Sequence, residues 1–161
     1  MKTLFLFDSY FGNTEQVTRA IANAFNPETT IVKWIRDAST EELSGTELLI
    51  IGSPTRGFRA TEAVNLFFKE KLPTDLHGMN VAAFDTRIDL DTIKSKVFRV
   101  VVNKGGYAAN TMAKQLKRRK VRLVIPAEGF LVTGEQGPLK EGELERAFEW
   151  GKEIANSLAP H

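Results

Sequence analysis

Short apolar runs alternate along this chain with longer stretches whose apolar residues recur every three or four positions. Residues 2–7 are apolar and aromatic after Lys2 and Thr3, end in a polar turn, and predict a buried strand. Residues 14–25 predict a helix. Val17, Ala20, Ile21, Ala24 and Phe25 share one face, Thr18, Arg19 and Asn23 share the other, and Asn26-Pro27 ends it. Residues 29–34 predict a β-branched strand at a sheet edge, and residues 41–43 a short helix ending at Gly45. Residues 48–52, apolar throughout, predict a central strand, with a Pro- and Gly-bearing loop over 53–59 behind it. A helix over 61–72 turns Val64, Phe67 and Phe68 inward and stops at Pro73. A fourth strand follows over 80–85. Residues 107–119 predict a helix, 121–125 a fifth strand broken by Pro126 and continued by 130–132, and 143–158 a closing helix. Residues 88–104 are long for a strand–helix connection. Their Val97-Phe98-Arg99-Val100-Val101-Val102 run fits a strand, a helix start or a segment packed over a site.

Strand–helix alternation of this kind predicts an α/β fold: a doubly wound five-stranded parallel sheet, order 2-1-3-4-5, with helices on both faces. Ligands bind such sheets outside the carboxyl ends of the strands, where the order reverses between the first strand and the third. Function is therefore expected on the loops after Phe7, Gly52 and Phe84. A length of 161 residues suits a single domain over 1–161, large enough to bury a core without staples.

Composition narrows the chemistry. There is no Cys, which excludes disulfides, thiolate nucleophiles and Cys-ligated zinc or iron–sulfur clusters. His77 and His161 are the only histidines, too few for a His-rich metal centre, so no metal site and no catalytic side chain is assigned. The apolar run at the N-terminus stops at Asp8, short of a signal-peptide core, and no segment is long and apolar enough to span a membrane. The expectation is a cytoplasmic protein without a membrane partner. The net charge of +2 makes no case for nucleic acid. The basic run Lys114, Lys117, Arg118, Arg119, Lys120 and Arg122 has no interleaved aromatic residue and reads as a solvated helix end, so no nucleic-acid partner is expected. Trp34 and Trp150 lie off the expected loops and read as packing residues. His77 falls at the opposite end of the sheet.

The first loop, Asp8-Ser9-Tyr10-Phe11-Gly12-Asn13-Thr14, joins a strand to a helix N-terminus, where unpaired N–H groups and the helix dipole favour an anion. Ser9, Asn13 and Thr14 add neutral donors, and Gly12 lets the backbone wrap closely. Neither a Walker loop nor a dinucleotide fingerprint is present. The loop is built to hold a phosphate without a cation.

Here the sequence resembles the flavodoxins and flavodoxin-like domains. An apolar strand followed by Ser/Thr-x-x-Gly-Asn-Thr opening a helix is their hallmark, and Leu4 to Glu15 matches it in order and place. The resemblance covers essentially the whole chain. It implies bound FMN and electron transfer through the oxidised, semiquinone and hydroquinone states. It implies that Ser9, Tyr10, Phe11, Gly12, Asn13 and Thr14 hold the phosphate, and that Pro54, Thr55, Arg56, Gly57 and Phe58 line the isoalloxazine. Asp85, Thr86 and Arg87 would touch the ring's other face or its pyrimidine edge. The partner implied is a redox protein, with the chain a monomer or homodimer. Two features depart from the family. No aromatic residue follows Phe84 until Phe98, which leaves Arg87 to stack on the ring instead, and the chain is not acidic. Arg56, Arg59 and Arg87 cluster on the expected loops, and the resemblance implies that Gly57 stands where the flavodoxins turn a peptide over beside the flavin, a plain turn glycine being the other reading. An electron carrier is favoured over an FMN-dependent NAD(P)H:quinone-type reductase, for which the chain has no separate nicotinamide domain. A module that kept the fold and lost the cofactor is the third reading. A phosphoacceptor receiver domain lacks its paired acids beside Asp8.

Overall fold

The computed structural model of the protein describes residues 1–160; the side chains of Val102 and Asn103, the exposure of Gly105, and all of His161 lie outside that description. The strands are β1 (Thr3–Phe7), β2 (Thr30–Trp34), β3 (Leu48–Pro54), β4 (Asn80–Ile88), β5 (Arg122–Leu123) and β6 (Glu128–Val132). The helices are α1 (Asn13–Ala22), α2 (Glu62–Leu66), α3 (Lys96–Gly105), α4 (Ala108–Lys117) and α5 (Glu143–Ser157). The strand–strand pairings among the described residues are parallel, in the order β2-β1-β3-β4-β5, and β6 pairs with β4 as well. The expected doubly wound order is therefore the observed one.

The fifth position of the sheet is shared by two short strands. β5 pairs with Asn80 and Val81 at the start of β4, and β6 takes over from Phe84 to Ile88. The break falls around Pro126, whose ring removes a ladder donor. This split has a consequence for the site. With β6 alongside, β4 runs three residues further than the sequence pattern indicates, so Asp85, Thr86 and Arg87 lie within a strand and not on a loop.

Alternation along the strands sorts the core into two layers. Leu4, Leu6, Leu49, Ile51, Val81 and Ala83 face one side and pack with Ile35, Val64, Phe67, Phe68, Met112 and Leu116. Phe5, Leu48, Ile50, Ala82 and Phe84 face the other and pack with Val17, Ile21, Phe130, Ala147, Trp150 and Ile154. Trp150 meets Phe84 and Phe130 edge-on at 6.1 and 6.0 Å, and Trp34 lies 4.5 Å from Phe7, so both tryptophans are packing residues. β2 is the half-exposed edge strand. α2 is shorter than its pattern suggests. From Phe67 to Lys71 the turn widens, and the Leu72 N–H reaches back to the Phe67 carbonyl at 2.8 Å.

Part of the basic run is structural. Arg119 donates to the carbonyls of Phe68, Pro73 and Gln115, tying the end of α4 to the end of the α2 segment, and Lys120 pairs with Asp75. At the other end of the chain, Glu143 opens α5. It accepts from the Leu131 N–H at 2.6 Å and pairs with Arg146 at 2.8 Å. Burial pushes this carboxyl up, but Arg146, the Leu131 N–H and Lys140 outweigh it and leave the group below the ordinary Glu range. The stability it contributes is thus present above an unfolded value of about 4.3 and lost as pH falls through the lowered folded value. Glu143→Gln is expected to flatten the decline of unfolding free energy below about pH 4.5. Urea midpoints measured from pH 6 to pH 3 check this, and an unchanged slope would contradict it.

Candidate functional site

The site is built at the carboxyl ends of β1, β3 and β4. The Asp8 N–H bonds the Gly52 carbonyl at 3.1 Å, so the first loop leaves β1 still fastened to β3. The Asp8 carboxylate accepts from the Ser9 N–H, and the Ser9 hydroxyl accepts from the Gly12 N–H, both at 3.0 Å. Gly12 closes the turn in the left-handed region at φ 91°, which a β-carbon would strain. In α1, Gln16 is the first residue whose N–H meets a backbone carbonyl, that of Gly12 at 3.1 Å. The N–H groups of Asn13, Thr14 and Glu15 meet no acceptor among the described residues. The positive end of the α1 dipole stands behind them. The Asn13 side chain donates to the Gln136 carbonyl at 3.1 Å, which brings the segment after β6 over this turn.

Thr14 and Thr86 are both buried, and their hydroxyls share a 2.8 Å hydrogen bond linking the first loop to β4. Of the pair's two hydroxyl hydrogens, one lies in that bond. The other is available to a third partner.

The second loop is a tight hairpin. Arg56 and Arg59 exchange backbone hydrogen bonds of 2.9 and 3.2 Å across Gly57 and Phe58, whose φ values are 55° and 68°. Paired positive φ angles define a type I′ turn. Gly57 adopts one freely, whereas at Phe58 the conformation costs about 1–2 kcal/mol. Phe58→Asn is expected to raise unfolding free energy by about 1 kcal/mol, since Asn tolerates this region; the urea midpoint reads the change. The Arg56 guanidinium lies 5.4 Å from the ring centroids of both Tyr10 and Phe11 and pairs with Glu135 at 3.3 Å.

At the end of β4, Arg87 and Asp85 form a bidentate pair of 2.7 and 2.8 Å. Asp85 is fully buried and also accepts from the Ala109 N–H at 2.9 Å, while the Thr55 hydroxyl accepts from the Ala108 N–H at 2.9 Å. Side chains from β4 and from the second loop thus cap the N-terminus of α4. Burial pushes the Asp85 carboxyl up, against the pull of Arg87 and the Ala109 N–H. The Arg87 guanidinium stacks 3.7 Å from the Tyr107 ring centroid and presses against Gly129 of β6. A β-carbon on Gly129 would fall 2.1 Å from the Arg87 Nε.

These elements enclose a cavity of about 370 Å³. Every candidate residue lines it except Gly12, which shapes the loop, and Asp85, which stands behind Arg87. Asp85 therefore reaches the site only through Arg87; full burial on β4 takes it out of contact with an occupant. Arg59 does not line the cavity.

The lining also includes Ile88, Phe98, Gly106, Tyr107, Val132, Gly134 and Glu135, which sequence reasoning did not assign. Tyr107 and Phe98 provide the aromatic surface that the segment after Phe84 lacks, brought in by α3 and the start of α4. The apolar run over 97–102 is the signal that points to Phe98. His77 lies in the turn before β4, at the far end of the sheet.

A crevice at the switch point of a doubly wound parallel sheet is the site that this class of α/β protein uses. No protein-family model and no curated protein matches the sequence. Among solved structures, the chain is similar to oxidised flavodoxin 1 from Bacillus cereus, at 21% identity and a TM-score of 0.78. That match covers 99% of this chain and 100% of the other. A flavodoxin from the domain Archaea matches at 21% identity and a TM-score of 0.76, covering 97% of each chain. A flavodoxin, WrbA-like protein from Agrobacterium tumefaciens matches at 16% identity and a TM-score of 0.62, covering 96% and 95%. The chain has the flavodoxin-like fold over nearly its whole length.

Proposed function

We propose that the protein is a single-domain, FMN-binding electron carrier, cytoplasmic, working as a monomer or homodimer with a redox partner protein. The observation that carries this reading is the donor set at one end of the cavity: the open N–H groups of Asn13, Thr14 and Glu15 beside the hydroxyls of Ser9 and Thr14. Such a set suits a phosphate monoester. The rest of the lining suits a planar ring, with Tyr10, Phe58, Phe98 and Tyr107 around a volume inside the usual range for cofactor sites, about 300–1,000 Å³.

In this reading Ser9, Tyr10, Phe11, Gly12, Asn13 and Thr14 hold the phosphate. Pro54, Thr55, Arg56, Gly57 and Phe58 line the ring, and Thr86 and Arg87 bound it from β4. The flavin supplies one- and two-electron transfer when bound. The chain's own groups position and bias it. Thr14 and Thr86 offer their spare hydroxyl hydrogen. Arg56 and Arg87 put positive charge on the cavity, each balanced by a carboxylate, Glu135 and Asp85. Arg56→Gln is expected to shift the flavin potential negative by on the order of 10–30 mV, the size a half-exposed, paired cation allows. Glu135→Gln is expected to shift it the other way. Redox titration in the presence of reference dyes reads both, and no movement in either would remove Arg56 from the tuning role.

The deciding experiment is the visible spectrum of the purified protein, with any flavin released on denaturation identified. A colourless protein that takes up no added FMN would sink the reading and leave a module without cofactor. Thr14→Ala is expected to weaken FMN binding about tenfold and riboflavin binding less than about twofold, because only FMN carries the charged phosphate. Equal losses would contradict the phosphate assignment. An FMN-dependent NAD(P)H:quinone-type reductase is the second reading. It is favoured by the exposed rings of Phe58 and Phe98 at the mouth, which suit a flat apolar acceptor. Steady-state NAD(P)H oxidation with a quinone separates it from a carrier.

A further inference from the structure

α3 is unlike the other helices. No described residue of α3 is buried, and Val97, Val100 and Val101 are 76%, 52% and 48% exposed. Their spacing, with Lys104, follows i, i+3, i+4, i+7, so they form one outward stripe. Arg99 lies off that stripe and donates to the carbonyls of Asp91 and Ile93, anchoring the helix by its opposite side. The cations at the ends of the stripe are Lys94, Lys96 and Lys104, and α3 carries no acidic residue. Nearby, Asp89 is neutralised by Lys140 at 2.9 Å. A helix that sheds its apolar face into water would be expected to pack it inward. Here it is displayed between lysines.

We propose that α3 docks on an anionic lipid surface, its valine stripe entering the headgroup boundary and Lys94, Lys96 and Lys104 meeting lipid phosphates. Charge complementarity and the form of the stripe favour this occupant. Three protruding β-branched side chains offer no pocket or flat patch for a protein partner, whereas a bilayer conforms to protrusions. Lysine stems are long enough to lie along the apolar boundary with their ammonium groups at headgroup level. No helix among the described residues is long and apolar enough to cross a membrane. The expectation of no membrane partner rested on that same criterion, and a helix lying on the surface does not need to meet it. The inference does not depend on flavin binding.

Flotation with vesicles tests it. The purified full chain is mixed, at 20 mM and 300 mM salt, with vesicles of pure phosphatidylcholine or with 30% phosphatidylglycerol. Flotation with the anionic vesicles alone, reduced at least fivefold by high salt, is expected. Two variants should each abolish it: V97S/V100S/V101S, which keeps every charge, and K94E/K96E/K104E, which keeps the stripe. K114E/K117E, on the basic end of α4, should float like the wild type. All these side chains are exposed, and circular dichroism with thermal melts confirms that each variant is folded. Absence of flotation at low salt overturns the proposal, as does flotation that survives loss of the valines or depends on Lys114 and Lys117. A salt-sensitive complex with poly-glutamate but not with vesicles would assign the face to an acidic protein and equally overturn it.

Discussion

Asp85→Ala is expected to lower the unfolding free energy by about 3 kcal/mol and the melting temperature by about 10 °C. The size follows from what the substitution strands. Asp85 is fully buried and holds both forks of Arg87, whose side chain is only 19% exposed, and it satisfies the Ala109 N–H at the head of α4. Removing it leaves a largely buried cation and an orphaned donor, which costs more than the pair itself contributes. The same reasoning gives a second arm. Adding Arg87→Met to Asp85→Ala removes the stranded charge while keeping length and apolar contact with Tyr107. Most of the loss should therefore return. Urea denaturation of both variants decides it. A single variant within about 1 kcal/mol of wild type would show that the pair is not the anchor of the β4 end.

Gly52→Ala is the second large effect, a loss of about 3 kcal/mol at the top of the usual range for overpacking. A β-carbon there would lie 2.1 Å from the Phe84 ring. That ring has no room to retreat, being fully buried and edge-on to Phe130 at 5.9 Å and to Trp150 at 6.1 Å. Gly52 and Phe84 are register partners on β3 and β4, so strand separation would carry the strain into the second loop. Phe84→Leu in the same chain should relieve part of it, and the double variant is expected to be less destabilised than the sum of the singles. Strict additivity in urea midpoints would show that the clash is absorbed elsewhere.

Much of the fold was legible because its signals are local. Unbroken apolar runs in β1 and β3 reflect burial on both faces, and periodicity in α1, α4 and α5 reflects burial on one. The same holds for the turn of the first loop, where Ser9 and Gly12 bond each other, whereas the side chains of Asn13 and Thr14 reach across to Gln136 and Thr86. Local pattern was thus enough for the strand order and for the place of the crevice between β1 and β3. Tertiary structure alone decided the rest. β4 extends through Ile88 because β6, forty residues further on, supplies its hydrogen-bond partner. Asp85 is a support and not a contact because that extension buries it under α4. Arg87 lies flat because Tyr107 and Gly129 sandwich it from two other elements. Phe98 reaches the cavity because residues 96–105 form a helix, an outcome their pattern left open. Each of these depends on which distant groups meet, and pairing between remote segments leaves no local period to read.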